Sequence, residues 1–199
     1  MELEMLTKQV MDRLFVPLEA SGRHVHVTCD QAQILFGHPL TAKRELSQPG
    51  QYLANERVTV IGPKGEFQNV AVLGPERQEA QVEISLTDGR HLGITPPVRP
   101  SGQVENSPGV TLQGPKGKVE LRQGAIAALR HIHVHPRDAS RLGVQDKQLV
   151  RLKTYTARPV VFEEVLVRVH PEFATSVHLD IDEANACGFK NGDLGRILT

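Results

Sequence analysis

The sequence lacks the features that would place it in a membrane or in an oxidising compartment. Among its 199 residues no apolar run approaches the roughly 20 needed to cross a bilayer. The first fifteen residues lack the long apolar centre and the cleavage site of a secretory signal. Cys29 and Cys187 are the two cysteines, so neither a disulfide framework nor a cysteine zinc site is indicated. We therefore expect a soluble protein in the cytoplasm.

An excess of charge of one sign is also missing. Lys plus Arg and Asp plus Glu number 23 each, so no overall field draws the chain to nucleic acid or to an anionic membrane. Any bound anion must be held by local contacts. Tryptophan is absent and aromatic residues make up 4%, whereas the chain has 13 prolines and 17 glycines. That balance is typical of many short elements joined by tight turns and indicates a mainly β protein.

A repeated histidine doublet is the strongest pattern in the chain. Arg-His-Val-His-Val at residues 23–27 is matched by Arg-His-Ile-His-Val at residues 130–134. Alternate side chains of an extended strand share a face, so the two histidines of each doublet can converge on one ion. Neutral imidazole is a common ligand of zinc-like metals, and two doublets brought together would form a metal-rich cleft. For either doublet alone, a half-exposed polar strand face is the alternative.

Two further strands offer ligands in the same alternating pattern. Glu83 alternates with aliphatic residues in a predicted strand over residues 81–87, which an Asp-Gly turn would end. His178 alternates likewise over residues 177–182, with Asp180 as a reserve ligand. Five imidazoles and one carboxylate suffice for two divalent sites that each keep a position open. Nitrogen and oxygen ligands without cysteine suit a catalytic ion better than a structural one.

Short helices after both doublets extend the repeat. We expect Thr28 or Asp30 to cap a helix over residues 31–36, and a matching helix over residues 136–142. Asp182 is expected to cap a last helix near the C-terminus. Short strands, tight turns and a duplicated core predict paired, internally duplicated small β-barrels, with a β-sandwich as the alternative.

Three other segments carry predictions of their own. Residues 38–56 are predicted to form an irregular excursion of the kind that serves a subunit contact or a ligand lid. Gly-Pro-Lys-Gly occurs at residues 62–65 and again at 114–117, and is read as a turn in both places. Residues 1–15 have the periodicity of an amphipathic helix, which either packs on its own domain or docks on another protein.

Several separated motifs share the order and spacing of one known family. They are the two doublets with their arginines, Leu-Gly-Pro-Glu-Arg at 73–77, Gln-Val-Glu-Ile-Ser-Leu-Thr-Asp at 81–88 and Asp-Glu-Ala-Asn-Ala at 182–186. Together they resemble the phosphate propanoyltransferases, the phosphotransacylases of bacterial microcompartments. The resemblance implies two β-barrels interleaved in sequence, one from residues 16–20 and 129–199 and the other from residues 21–128. It also implies a homodimer with two zinc ions at the junction of the barrels.

The resemblance further implies an activity and a role for each candidate residue. Such enzymes exchange coenzyme A for phosphate reversibly: acyl-CoA and phosphate give acyl phosphate and free coenzyme A. His24 and His26 would hold the zinc ion that meets the coenzyme A sulfur, and Arg77 would contact phosphate. The other zinc ion would be held by a larger set, namely Glu83, His131, His133 and His178. Residues 1–15 would direct packaging into a microcompartment by binding its shell or core proteins.

Two other functions fit the same residues. A binuclear metal hydrolase acting on a thioester or a phosphoester would use these ligands to generate a hydroxide nucleophile. A non-catalytic scaffold would bind metal for stability. The ligands also suit a divalent ion other than zinc.

Overall fold

The structure of the chain, a computed structural model, describes residues 7, 10, 11 and 13–198. Contacts divide the chain into two compact units. One unit, the barrel unit, contains the described residues up to Ser21 together with those from Leu129 onward. The other, the sheet unit, contains residues 22–128. Each unit has a core of its own built from Val, Ile and Leu.

Strands dominate the described chain, and all of the regular elements after Phe15 are short. The strands are β1 (Val16–Ser21), β2 (His24–His26), β3 (Ala42–Glu45), β4 (Tyr52–Ile61), β5 (Glu66–Gly74), β6 (Gln81–Glu83), β7 (Val98–Arg99), β8 (Val110–Gln113), β9 (Lys118–Leu121), β10 (Ala125–Ala128), β11 (His131–Val134), β12 (Leu149–Tyr155), β13 (Val161–Val169), β14 (Ser176–Asp180) and β15 (Leu194–Leu198). The helices are α1 (Cys29–Phe36), α2 (Leu86–Leu92), α3 (Pro136–Leu142) and α4 (Ile181–Cys187). The prediction of a mainly β chain with short helices is confirmed.

The barrel unit is a closed six-stranded barrel. Its strand order is β1, β14, β11, β13, β12, β15, and β15 returns to β1. Closure leaves no unpaired sheet edge. The interior is filled by side chains that alternate along the strands, including Ile132, Leu152 and Leu179, each at most 1% exposed.

The sheet unit has the order β7, β10, β6, β2, β5, β4, β8, β9, with β3 added on β4. Its core is lined by residues such as Val25, Leu35 and Leu112, which are fully buried. This sheet curls into a half-barrel but does not close. The predicted pair of barrels is therefore found as one closed barrel and one curled sheet.

The same strand frame occurs in both units. The doublet strand β2 pairs parallel to β5 and antiparallel to β6. In the other unit β11 pairs parallel to β13 and antiparallel to β14. Even an irregularity is repeated, because Asn69 in β5 and Glu164 in β13 both have a left-handed backbone, with φ of 57° and 54°. The internal duplication is thus a property of the backbone as well as of the sequence.

The strand predicted over residues 81–87 is wrong beyond Glu83. Ser85 caps a helix instead, since its hydroxyl accepts from the Asp88 amide at 3.1 Å and the Asp88 carboxylate accepts from the Ser85 amide at 3.3 Å. This reciprocal capping box satisfies two amides that the first helical turn leaves without partners. Local capping therefore overrode the alternation of Val82, Ile84 and Leu86, and Leu86 is exposed.

Three other local predictions are corrected. The excursion over residues 38–56 is not irregular throughout, because β3 within it pairs antiparallel with β4. Asp180, and not Asp182, caps α4, with its carboxylate accepting from the Glu183 amide at 2.8 Å. Thr28 caps α1, which confirms one of the two predicted caps, but the helix begins at Cys29 and not at residue 31.

The two Gly-Pro-Lys-Gly segments are turns, as predicted. In each, a backbone hydrogen bond of 2.9 Å joins the two glycines. A Cβ atom on Gly62 would lie 2.4 Å from the Leu92 carbonyl oxygen, and one on Gly114 would lie 2.4 Å from that of Leu35. Glycine is therefore required where each turn packs against the end of a helix.

The helix predicted over residues 1–15 falls mostly outside the described residues. Those of its residues that are described from 7 to 14 are helical. Within the described chain, no helix combines the length and the apolar character that crossing a membrane requires.

Candidate metal centres

His24, His26 and Glu83 form one group of potential metal ligands, here called the sheet triad. The register of β2 and β6 places His24 directly opposite Glu83. One ligand atom from each of the three side chains lies within 4.8 Å of the other two. His24 Nε2 lies 3.6 Å from Glu83 Oε2. All three side chains are buried.

Backbone carbonyls fix the orientation of both imidazoles in the sheet triad. His24 Nδ1 lies 2.9 Å from the Gly22 oxygen, and His26 Nδ1 lies 3.2 Å from the Leu73 oxygen. A carbonyl oxygen only accepts, so Nδ1 must carry the proton in both rings. The lone pair of each Nε2 is left for a ligand, which is the arrangement that metal-binding histidines adopt.

Two residues of the sheet triad, His24 and Glu83, each favour the charged form of the other. Burial disfavours charge on His24, but the adjacent carboxylate of Glu83 raises the pKa of His24 above its ordinary value. Burial also opposes ionisation of Glu83, yet His24 holds the pKa of Glu83 well below its ordinary value. Burial, together with the charges of His24 and Arg77, lowers the pKa of His26 to about 2. These shifts favour a charged pair of His24 and Glu83 beside a neutral His26.

The carboxylate of Glu83 is held from its other side. Gln81 Nε2 donates to Glu83 Oε1 at 2.5 Å, and the Ser101 hydroxyl donates to the same oxygen at 2.8 Å. Gln81 and Ser101 were not among the site residues predicted from the sequence. Gln81 could have been found from its place two residues before Glu83, on the same face of β6, whereas Ser101 is far away in sequence and carried no signal.

Arg77 lies close to the sheet triad. Its backbone amide donates to the Val27 oxygen at 2.9 Å, immediately after the doublet strand. The positive charge of Arg77 acts on both His24 and His26, opposing their protonation. Its side chain is half-buried. A guanidinium beside a group of metal ligands is a site where an anion can be held by paired hydrogen bonds.

His131, His133 and His178 form the second group, the barrel triad. His131 lies opposite His178 in the register of β11 and β14. The ring centroids are 5.0 Å apart for His131 and His178, and 4.6 Å apart for His133 and each of the other two. Their ligand atoms also lie within 4.8 Å of one another. The Leu129 oxygen, 2.8 Å from His131 Nδ1, fixes that ring as Gly22 fixes His24.

An arginine brace accompanies each triad. Arg23, before the first doublet, forms an ion pair with Asp88 at 2.7 Å, and Arg130, before the second, pairs with Glu183 at 2.8 Å. Both carboxylates are the third residue of a helix that follows the strand of the third ligand. Each brace therefore ties the start of a doublet strand to the helix beyond the third ligand.

Comparison with known proteins places the chain in a family. A sequence profile described as Phosphate propanoyltransferase matches residues 17–190. This chain belongs to the phosphate propanoyltransferase family. A protein of that name from Enterococcus faecalis is 53% identical over 183 residues, which cover 91% of this chain and 87% of the relative. One from Listeria monocytogenes is 48% identical over 198 residues, covering 98% and 93%. One from Thermotoga maritima is 50% identical over 181 residues, covering 89% and 86%.

Membership of the phosphate propanoyltransferase family makes the chain an enzyme, a phosphate acyltransferase. The resemblance stated from sequence is thereby confirmed. One detail carried over from that resemblance differs from the geometry. Glu83 was assigned to the set of His131, but the structure brings its carboxylate into the triad of His24 and His26.

The remaining histidines and Asp180, the reserve ligand, lie outside both triads. His135 caps α3, with Nδ1 accepting from the Arg137 amide at 3.2 Å. Asp180 is occupied as the cap of α4. The others, His38, His91 and His170, are exposed and belong to neither triad.

Proposed function

We propose that the chain transfers an acyl group reversibly between coenzyme A and inorganic phosphate, with one divalent ion, preferably zinc, held by each triad. The observation that carries the proposal is the pair of equivalent triads in a member of the phosphate propanoyltransferase family. Acyl-CoA and phosphate are the substrates that the name of its relatives supports.

The donor atoms fit zinc. Each triad offers three nitrogen or oxygen ligands and no cysteine, which is the usual protein contribution to a catalytic zinc site with one position open. In the sheet triad, a divalent ion would compensate the negative charge of the buried Glu83 carboxylate. In both triads the first histidine donates Nδ1–H to a carbonyl, leaving Nε2 for the ion.

The residues divide the chemical work between them. When bound, the ions supply Lewis acidity, which stabilises a thiolate leaving group and polarises a thioester carbonyl. Arg77 binds phosphate through the planar, paired donors of its guanidinium and orients it for attack on the thioester carbon. Phosphate is the nucleophile, so the acyl group passes directly from sulfur to phosphate oxygen.

No protein nucleophile is needed for this reaction. Cys187 lies buried in α4, and burial raises the pKa of its thiol, which keeps it in the unreactive form. Cys29 begins α1 and belongs to neither triad.

The proposal includes a homodimer and packaging into a bacterial microcompartment. Packaging is supported by the amphipathic pattern of residues 1–15, in which Val10, Met11 and Leu14 are exposed apolar side chains. Such a face suits docking on shell or core proteins. Deleting residues 2–15 should leave activity intact and abolish co-purification with microcompartments. Size-exclusion chromatography with light scattering checks the dimer.

The activity is tested by incubating the metal-loaded enzyme with acyl-CoA, with and without phosphate. Thiol release that depends on phosphate, together with acyl phosphate formation, supports the transferase. Equal thiol release without phosphate would replace it with the metal hydrolase. Elemental analysis of the purified protein should find two equivalents of zinc. A His131→Ala variant that retains full activity and both equivalents would remove the barrel triad from the proposal.

A further inference from the structure

One oxygen of Glu83 is engaged away from its histidine partner. Oε2 lies towards His24 Nε2, whereas Oε1 accepts from both Gln81 and Ser101. Gln81 and Ser101 also contact each other, because Gln81 Nε2 lies 2.9 Å from the Ser101 oxygen. The two oxygens of the Glu83 carboxylate therefore have different partners.

The hydrogen bonds in this group run in a fixed direction. The Gly102 amide donates to Gln81 Oε1 at 2.6 Å, so the side-chain amide of Gln81 must present its NH₂ group to Glu83. The Ser101 oxygen accepts one of those N–H groups, which directs its own hydrogen towards Glu83 Oε1. Gln81 is 2% exposed, so water does not compete for these contacts.

We propose that Gln81 and Ser101 are positioning residues that hold Glu83 Oε1, so that Oε2 alone is offered to the metal ion of the sheet triad. The inference rests on the proposed function, since it assumes that this triad binds an ion. Two donors on Oε1 prevent the carboxylate from rotating to bind with both oxygens. The sheet triad then keeps three ligand atoms and one open position.

The barrel triad places a residue at the same register position. Gln81 lies opposite His26 in β6, and Ser176 lies opposite His133 in β14. Each contacts the third ligand two residues further on, with Ser176 Oγ lying 3.0 Å from His178 Nε2. A residue at this register position therefore contacts the third ligand in both units, whereas the second donor, Ser101, is found only beside the carboxylate of Glu83.

The experiment uses cobalt(II) and zinc titrations of the full-length apoprotein, followed by absorption spectroscopy and by competition with a chromophoric chelator. The variants are Ser101→Ala, its conservative partner Ser101→Thr, and Gln81→Met, which keeps volume without the donor. Ser107→Ala is the matched control. Ser107 is also buried in the sheet unit, but its hydroxyl contacts only the backbone of Val104 and Gly124 in the described contacts.

We expect Ser101→Ala and Gln81→Met each to weaken one metal equivalent by about 10-fold to 100-fold and to alter its cobalt spectrum, as loss of a ligand's hydrogen-bond partner does elsewhere. The second equivalent should be unchanged. Ser101→Thr should restore the parent affinity, and Ser107→Ala should match the parent. Circular dichroism of each apoprotein reports folding, and Ser101→Ala, at a half-buried position, serves if Gln81→Met does not fold.

Parent-like affinity and cobalt spectra in folded Ser101→Ala would overturn this inference and leave the proposed function standing. A parent protein that binds no divalent ion would overturn both. Equal weakening of both equivalents, or weakening in Ser107→Ala as well, would show a general loss of stability and would also overturn the positioning role.

Discussion

The sheet triad and the barrel triad are built on the same strand frame but differ in their third ligand. Glu83 and His178 occupy equivalent register positions, opposite the first histidine of each doublet. A carboxylate would cancel one of the two charges of a divalent ion, whereas neutral imidazoles would leave both. The duplicated backbone therefore offers two potential metal environments of unequal charge.

The loops beside the two triads differ more than the strands. The carbonyl that follows the doublet accepts from the Arg77 amide in the sheet unit and from the His170 amide in the barrel unit. Arg77 brings a permanent positive charge to the less positive triad. In the barrel unit Phe173 stacks on His133 with centroids 4.0 Å apart, which covers the ring with an apolar surface. Strands fix where the ligands lie, and loops determine what chemistry surrounds them.

Removing one histidine from each triad should produce the largest effects. We expect His26→Ala and His133→Ala each to lose one of two bound metal equivalents. Activity should fall by about a thousandfold or more, because Lewis-acid stabilisation is worth several kcal/mol and about 1.4 kcal/mol is tenfold. Elemental analysis and initial rates measure both, with exposed His91→Ala as the control. If one variant keeps its activity, the two triads are not equal partners in the reaction.

Arg77→Ala tests whether the loop after the first doublet binds phosphate and the matching loop of the barrel unit does not. We expect the KM for phosphate to rise by about 10-fold to 100-fold, since charge-assisted hydrogen bonds are worth about 1.5–3 kcal/mol. Metal content should be unchanged. Steady-state kinetics with varied phosphate gives the measurement, and His170→Ala, at the matching amide of the barrel unit, should behave as the parent. An unaltered KM for phosphate in Arg77→Ala would remove Arg77 from the phosphate site.

The comparison also shows what could be read from the sequence. The doublets and His178 were found because period-two alternation is a local property. The partner of Glu83 was not, since strand register depends on pairing between distant segments. A signal was nevertheless present: Glu83 and His178 each precede a capping box by two residues, beginning at Ser85 and Asp180. If the sequence repeat had been extended to these capping boxes, Glu83 would have been aligned with His178, and each would have been assigned to the doublet of its own half.

Some features could not be predicted from the sequence at all. Whether a curled sheet closes depends on the number and pairing of its strands, and in the sheet unit β7 and β9, at the two ends of the strand order, do not pair with each other. Ser101 reaches Glu83 from a loop 18 residues away. Such contacts follow from tertiary packing and leave no periodic trace in the sequence.

The two arginine braces should differ in strength. Arg23 donates Nε and Nη2 to both oxygens of buried Asp88, at 3.1 and 2.7 Å. Arg130 makes one contact with Glu183, and its other two hydrogen bonds, to the Glu163 carbonyl, are exposed to solvent. Burial raises the pKa of Glu183, so that side chain becomes neutral more readily when its partner is removed. We expect Arg23→Ala to lower the free energy of unfolding by about 1–2 kcal/mol, and Arg130→Ala by less. Urea unfolding of the apoproteins measures both, and equal losses would contradict the difference.

The smallest expected effect concerns the repeated left-handed residue. Asn69 and Glu164 are both exposed and have nearly the same φ, but asparagine adopts this backbone conformation more readily than glutamate. We expect Glu164→Asn to raise the free energy of unfolding by about 0.5–1 kcal/mol and Asn69→Glu to lower it by a similar amount. Thermal and urea unfolding measure the shifts, and the Glu164→Asn/Asn69→Glu double variant should return close to the parent. Shifts of the same sign in both single variants would contradict the expectation that asparagine is preferred over glutamate at this left-handed position in both β5 and β13.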